Sequence, residues 1–174
     1  EEKVSSALED GSWPKELTTK GGYPTIPAPV PTVTFHVPLS RHAMLVRGHC
    51  LPLVPPVATP NGISLRWNPR PAREGVAADP NEVKIRTDST PRRLYVGYGL
   101  TIPEGYQGVI TSPGAMGETV PVMVLHAGKH DADLCIPVAY RGDAQHGIQL
   151  SAHCEIGLLT LHKVGEVGLV VEKG

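Results

Sequence analysis

Strong charge of one sign and long apolar runs are both missing from this chain of 174 residues. Sixteen Lys and Arg stand against seventeen Asp and Glu, so the formal net charge is -1 and the sequence pI is about 6.8. A nucleic-acid-binding domain normally carries a basic face, and this balance gives no such electrostatic footprint. No stretch approaches the roughly 20 apolar residues of a membrane-spanning helix, and no signal peptide is visible. We therefore expect neither a nucleic-acid partner nor a membrane-embedded protein.

Cysteine is also scarce, and the three cysteines do not form a recognisable set. Cys50, Cys135 and Cys154 lack the spacing of a zinc motif, and their odd number argues against a disulfide framework. This usage favours a reducing compartment or a virion interior. The pairs His49-Cys50 and His153-Cys154 contain four residues of the types that bind zinc. Adjacent strand residues point to opposite faces, however, so we expect no zinc site and ordinary core cysteines.

Two other groups of residues could carry chemistry. His126, His130, Asp131 and Asp133 are close in sequence, but in a strand or turn they alternate between faces, so we expect exposed turn residues rather than a metal site. Aromatic and basic residues also interleave around position 95, in a pattern that could stack nucleic-acid bases. Because the overall charge is balanced, we expect ordinary strand surface there. The residues concerned are Arg92, Arg93, Tyr95, Tyr98 and Tyr106.

Phenylalanine occurs once, whereas proline occurs 18 times and glycine 19 times. Pro removes a backbone donor and Gly weakens helix interiors, so this composition predicts short strands and many turns. Short β-branched and apolar stretches separated by turn residues are typical of a sandwich, jelly roll or small barrel. The segment 68–80, rich in Pro and Ala, is predicted to be a polar loop. The predicted strands are 32–37, 42–47, 63–67, 83–87, 94–102, 108–112, 120–125, 134–139, 147–150, 156–162 and 167–171.

The first 30 residues differ from the rest of the chain. Closely spaced prolines keep such a segment extended and prevent it from folding on itself. Its apolar residues can then be buried only against another surface. We therefore predict an extended arm at residues 1–30 and a β domain at residues 31–174. The chain begins with Glu1 rather than Met, which favours a processed chain or a fragment. The prolines of the arm are Pro14, Pro24, Pro27 and Pro29, and its large apolar residues include Trp13, Leu17, Tyr23 and Ile26.

Three segments carry a resemblance to a known family. Residues 100–108, LTIPEGYQG, resemble the strand and turn before the Ser-bearing loop of the dUTP diphosphatases (dUTPases). Residues 126–133, HAGKHDAD, resemble that family's Gly-x-Ile-Asp-x-Asp-Tyr segment, and residues 57–65 resemble its first motif more weakly. The resemblance implies a distorted jelly-roll barrel in a three-fold homotrimer whose subunits exchange terminal strands. The tail 167–171 would be the exchanged strand.

Most of the family's catalytic positions hold other residues. Ser64 matches the Asp that helps to hold a metal-bound triphosphate, and a hydroxyl carries no charge for a divalent cation. Residues 112–115, Ser-Pro-Gly-Ala, replace Pro-Arg-Ser-Gly, so the Arg fork that binds phosphate is missing. Asp131 matches the carboxylate that activates the attacking water, and Asp133 follows with the family's spacing. Leu134 replaces the Tyr that packs under the deoxyribose.

The remaining two motifs are lost to different degrees. Residues 153–158 keep the apolar pattern of the fourth motif without its polar contacts, and the Gly-rich fifth motif has no counterpart. The apolar residues that form the family's strands are kept, while most of its charged catalytic residues are replaced. This is the pattern of a fold that is reused for another function. The resemblance therefore implies a non-catalytic structural or interaction protein, in the first place a trimeric capsid-associated protein that decorates a viral particle. Its partner would be a capsid or another protein assembly bound through residues 1–30, in a virion or the host-cell interior.

One alternative stays open. A divergent dUTP or nucleotide diphosphatase could use Asp131 to activate water, and it would then need Mg²⁺; otherwise we expect no catalytic residue and no cofactor. The surroundings of Asp131 discriminate between the two functions. A cleft lined by cationic donors favours the hydrolase, whereas an open surface favours the structural role.

Overall fold

The computed structural model describes residues 30–41, 52–87, 90–143 and 145–174. Their regular secondary structure is almost entirely β-strand, apart from a 3-10 turn at Gly114–Met116 and a helical segment at 39–41. The strands of the described residues are β1 Thr34–His36, β2 Val57–Thr59, β3 Gly62–Arg66, β4 Glu82–Ile85, β5 Arg92–Tyr95, β6 Gly99–Ile102, β7 Tyr106–Thr111, β8 Pro121–Leu125, β9 Gly128–His130, β10 Cys135–Val138, β11 Ile148–Ser151 and β12 Glu155–Lys163. The all-β prediction is confirmed.

The strands form antiparallel sheets with open strand orders. The largest sheet has the order β2-β3-β12-β7-β8, and a second has the order β1-β6-β9. Two strand pairs, β5 with β10 and β4 with β11, complete the described set. Within this part of the chain no sheet closes into a ring, so the barrel is an arrangement of packed open sheets. This matches a jelly-roll fold more closely than an up-and-down barrel.

The central strand of the largest sheet, β12, shows why these residues form sheet structure. Ile156 and Leu159 are buried, and Leu158 pairs with Ser64 of β3 on one side and with Thr111 of β7 on the other. Apolar side chains of β12 therefore meet those of the other sheets in one hydrophobic cluster. Trp67, directly after β3, is the largest fully buried side chain of that cluster, and Leu65 of β3 is also fully buried.

All twelve described strands lie in one compact unit, Thr32–Gly174. The predicted arm lies outside the described residues except for Val30, and so does the predicted strand at 42–47. The division of the chain into an arm at 1–30 and a barrel at 31–174 therefore stays a prediction.

Two strand predictions are wrong, and two short strands were missed. The single strand expected at 94–102 is divided into β5 and β6, because Gly97 has φ 80, outside the range of an extended strand. The strands β2 and β9 were not predicted, since three residues between turn signals show no clear period. Residues 167–171 form no strand, and the chain is exposed beyond β12 after a last backbone bond from Val164 N to Gly105 O (2.9 Å). An extended tail needs a partner strand to satisfy its ladder, and the described residues do not supply one.

Candidate functional site

A cleft of the described residues lies beside Asp131 and has a volume of about 540 Å³. Residues 36–41 form one wall, residues 68–71 and Arg73 form another, and residues 129 and 131–133 form a third. Tyr95 and Gly97 line it where β5 ends. The third wall follows from β9, which pairs with β6 and ends at His130, so that the next residues turn at the rim of the cleft.

Arg70 is held in this cleft by two neighbouring side chains, Tyr95 and Asp79. Its Nη1 donates to the Tyr95 hydroxyl at 2.8 Å, and its guanidinium carbon lies 4.0 Å from the centroid of the Tyr95 ring. On the other side its Nε donates to Asp79 Oδ2 at 3.4 Å, and the same oxygen accepts the Arg70 backbone N–H at 2.9 Å. A cation over an aromatic face with a carboxylate at its edge keeps its orientation without a ligand.

The ionisation of this group follows from its neighbours. Partial desolvation alone would lower the pKa of Arg70, but the negative charge of Asp79, followed by Tyr95, raises it above the ordinary value. Burial raises the pKa of Tyr95, and the neighbouring Cys135 adds to that rise. Burial likewise raises the pKa of the Cys135 thiol. Arg70 therefore stays charged, and Tyr95 and Cys135 stay protonated at neutral pH. A protonated, partly buried thiol is a poor nucleophile.

Asp131 and Asp133, the two aspartates of the segment HAGKHDAD, lie at the rim of the cleft. Asp131 is exposed and lines it, and its carbonyl accepts the backbone N–H of Leu134 at 3.2 Å to close the turn. Asp133 also lines it and forms an ion pair of 4.0 Å with Arg73. Both partners of that pair are mostly exposed, so the pair contributes little to stability. Asp131 thus faces a cleft lined by cationic side chains rather than an open surface.

Ser64 and the fourth-motif segment are brought together, away from Asp131. Ser64 is 1% exposed, and its hydroxyl donates to the carboxylate of Glu155 in β12. Neither residue lines the cleft. A hydroxyl with a single carboxylate does not provide the oxygen ligands that Mg²⁺ requires, so these residues do not fit the metal of the family's first motif.

Ser112, in the segment that replaces Pro-Arg-Ser-Gly, is likewise bonded within local structure. Ser112 is buried, and its Oγ donates to the Glu118 carbonyl at 2.8 Å and accepts the Val120 backbone N–H at 3.0 Å. These bonds stabilise the loop around the Gly114–Met116 turn. Within one chain, Ser112 does not line the cleft that contains Asp131.

The other sequence hypotheses have mixed outcomes. In the described part of the chain no group of three or more His, Cys, Asp or Glu residues could hold a metal ion, and His130 instead contacts the His126 carbonyl at 2.8 Å. The pair His49-Cys50 lies outside the described residues. The interpretation of the tyrosines as strand surface is wrong for Tyr95 and Tyr98, which are buried.

Sequence reasoning missed Arg70 and Arg73. Both lie in the segment predicted only as a polar loop, between prolines that gave the sole hint of a fixed backbone. The loop is a closed structure, because Asp79 N donates to the Arg70 carbonyl at 3.0 Å and Arg73 exchanges two backbone bonds with Val76. No helix of the described residues is long and apolar enough to cross a membrane.

Comparison with solved structures shows that the chain has the fold of the dUTPases. The dUTPase of Staphylococcus bacteriophage 80alpha, solved with dUPNHPP, aligns with 82% of this chain and 89% of its own, at a TM-score of 0.52 and 13% identity. A variant of the same phage enzyme aligns over 82% and 90% (TM-score 0.51, 14% identity). A variant of the dUTPase of phage phi11 of S. aureus, described with a structural Mg(II) ion, aligns over 82% and 97% (TM-score 0.51, 14% identity).

These likenesses are structural. The sequence matches no protein-family model and no curated protein sequence. At 13–14% identity the neighbours establish the fold, and function has to be argued from the residues of this chain.

Proposed function

We propose that this chain is a non-catalytic structural or interaction protein built on the dUTPase fold. In its specific form, it is a homotrimer that decorates a viral particle and binds a capsid or another protein assembly through residues 1–30. One observation carries the proposal: the groups at the first two motif positions are used inside the chain. Ser64 donates to Glu155, and Ser112 bonds Glu118 and Val120. Catalysis of this type needs a metal-bound triphosphate, cationic phosphate clamps and an activated water at one place.

A dUTPase that is described with a role besides hydrolysis supports the proposal of an interaction protein. The 80alpha structure is described as showing that phage dUTPases control transfer of virulence genes by a proto-oncogenic G protein-like mechanism. A dUTPase scaffold in a phage can therefore act as a regulator. A viral origin and a location in the virion or the host-cell interior belong to the same proposal.

The test is hydrolysis of dUTP with Mg²⁺, measured as pyrophosphate release by the full chain. We expect no release above the background without protein, because only the carboxylate of Asp131 has a counterpart among the catalytic groups. The Asp131→Asn variant is the matched control, since it changes one exposed carboxylate to an amide of the same size. Turnover that disappears in this variant would overturn the proposal.

One observation favours the alternative of a divergent nucleotide diphosphatase. Asp131 lines a cleft that also contains Arg70, Arg73 and Lys129, which is the arrangement expected for a hydrolase. Against it, Ser64 and Ser112 lie outside that cleft within one chain. If the same assay shows metal-dependent turnover in the wild type alone, this alternative replaces the structural role.

A further inference from the structure

The hairpin that joins β2 to β3 turns through Pro60 and Asn61, because Thr59 pairs directly with Gly62. Pro60 presets its own φ for a turn, and Gly62 supplies a positive φ of 138°. An Asn therefore stands directly before a Gly at the exposed tip of an edge hairpin. We propose that Asn61 is a site of covalent modification, at which spontaneous deamidation forms isoaspartate and releases the edge strand β2. This modification requires neither a nucleotide nor a viral particle, so it goes beyond the proposed function.

The chemistry needs only the two residues and water. The backbone nitrogen of Gly62 gives its proton to a base in the solvent and attacks Cγ of Asn61, and the Cγ–Nδ2 bond breaks as ammonia leaves. Water then opens the resulting five-membered succinimide. Cleavage between the Gly62 nitrogen and Cγ gives Asp, whereas cleavage between that nitrogen and the main-chain carbonyl carbon of residue 61 gives isoaspartate. Glycine has no Cβ, so no side chain shields the attacking nitrogen.

The three asparagines of the chain differ in their ability to form this ring. Asn61 is exposed, and its side-chain amide has no hydrogen-bond partner among the described residues. Asn68 is followed by Pro69, whose nitrogen carries no proton, and its own amide makes three hydrogen bonds. Asn81 is followed by Glu82, whose side chain hinders attack by its nitrogen. Asn61 is therefore the asparagine at which the ring closes most readily.

The two strands beside this turn are supported unequally. Among the described strands β2 pairs with β3 alone, and its three residues are all exposed. β3 also pairs with β12, and Gly62 lies against that strand, since a Cβ at Gly62 would be 2.6 Å from the carbonyl oxygen of Leu159. Isoaspartate lengthens the main chain of the turn by the Cβ atom, so the loop no longer fits the register of the hairpin. β2 is therefore the strand that is released.

The test is incubation of the full chain at mildly alkaline pH, followed by proteolytic peptide mapping in a mass spectrometer. We expect the peptide that contains residue 61 to show the mass gain of an amide converted to a carboxylate, together with release of ammonia. The same peptide should become a substrate for an isoaspartyl methyltransferase used as a reagent. Asp10-Gly11 can also form isoaspartate, but without this mass gain and without ammonia, so mapping separates the two.

Asn61→Gln is the matched control, because the longer side chain would have to close a six-membered ring, which forms more slowly. This variant should lose the mass gain and the methyltransferase signal at residue 61. The chain unfolded in guanidinium chloride is the positive control for the chemistry.

Amide hydrogen exchange tests the release of β2. In the modified protein residues 57–59 should exchange faster, whereas residues 63–66 keep their protection because β12 still pairs with them. Asn61→Asp separates the two consequences of the reaction, since it adds the negative charge and keeps the normal main chain. We expect this variant to keep β2 protected.

Absence of the mass gain at residue 61 in the folded chain overturns the proposal, whether or not the unfolded chain shows it. Equal modification of Asn68 or Asn81 in the folded chain rejects the assignment to the hairpin. Unchanged exchange of residues 57–59 in the modified protein, or the same acceleration in Asn61→Asp, shows that isoaspartate does not release β2.

Discussion

Asn68 shows how much a single buried polar residue organises in this molecule. It is 2% exposed, and its amide makes three hydrogen bonds: Nδ2 donates to the carbonyls of Val54 and Val96 at 3.0 and 2.7 Å, and Oδ1 accepts the Val54 N–H at 2.9 Å. One side chain thus connects the segment before β2, the end of β3 and the break after β5. Buried amides are tolerated only when they are bonded in this way.

We expect Asn68→Ala to destabilise the protein by about 2–4 kcal/mol, because backbone groups of Val54 and Val96 lose their partner in a buried place. Chemical denaturation followed by circular dichroism measures this. Asn61→Ala is the control, since Asn61 is exposed and only its backbone N–H is bonded, to Thr59. Equal denaturation midpoints for the two variants would show that the amide is not structural.

Ser64 illustrates a different point about single residues. Comparison with the family's motif identifies what Ser64 lacks, a negative charge. Only the structure shows what it does instead, which is to donate to Glu155 from a buried position between β2 and β12. Ser64 therefore lacks the charge of the family's metal-binding Asp, but its buried hydrogen bond gives it a structural role in the sheet.

At the level of elements, the break between β5 and β6 positions the cleft. β5 pairs with β10 and β6 pairs with β1 and β9, so the chain leaves one sheet and enters another within three residues. Gly97 lies in that break with φ 80, and a Cβ there would lie 2.8 Å from the Cβ of Asn68. Both the backbone conformation and the space at this position therefore require glycine.

We expect Gly97→Ala to cost about 2 kcal/mol or more, from the left-handed conformation together with the contact against Asn68. The free energy of unfolding by urea measures this cost. Gly114→Ala is the control, because its added methyl group would meet nothing closer than Thr119 Oγ1 at 3.8 Å. If the two substitutions have the same effect, the break is not a constrained junction.

At the level of the whole molecule, the single chain leaves apolar and β surface uncovered. Val167, Leu169, Val170 and Val171 are each at least 78% exposed in a tail that forms no strand. The edge strands β2 and β8 of the largest sheet also expose Val57 and Val124. Exposed apolar residues and unpaired edges are what association between copies would cover.

We therefore predict a homotrimer, with a mass in light scattering close to three times the 18.6 kDa of one chain. Truncation after Val164 removes the exposed tail and should shift the protein toward monomer, because the tail pairs with no strand among the described residues. Replacing Val167 and Leu169 by Ser is the milder version of the same test. A full-length chain that is monomeric at micromolar concentration contradicts the prediction.

The arm gives a second prediction at this scale. Deleting residues 1–30 should leave a folded trimer that no longer joins its assembly, since an extended segment with spaced apolar residues can bury them only on another surface. Co-sedimentation with the isolated particle measures attachment. Truncation after Val164, assayed in parallel, reports any loss that comes from trimer dissociation alone. If the variant without residues 1–30 binds the particle as well as the full chain does, the arm does not anchor the protein.

The sequence by itself determined the fold class and most strand positions. Many prolines and glycines between short β-branched stretches leave few options besides an all-β domain. The segment LTIPEGYQG indicated that this domain resembles the dUTPases. It also determined which charges are missing at the motif positions, because a Ser or a Pro there cannot be a carboxylate or a guanidinium. These conclusions depend on local chemistry, which is present in the order of the residues.

Only the tertiary structure decided which side chains share a site. Arg70 and Tyr95 are 25 residues apart, and Arg73 and Asp133 are 60 residues apart; both pairs meet because β3, β5 and β9 end at one place. Nothing in a loop of Pro, Ala and Arg shows that its cations will face a turn from the other half of the chain. The failure of 167–171 to form a strand within the described residues has a related cause. Pairing depends on which partner strands the fold brings within reach, and a periodic pattern does not contain that information.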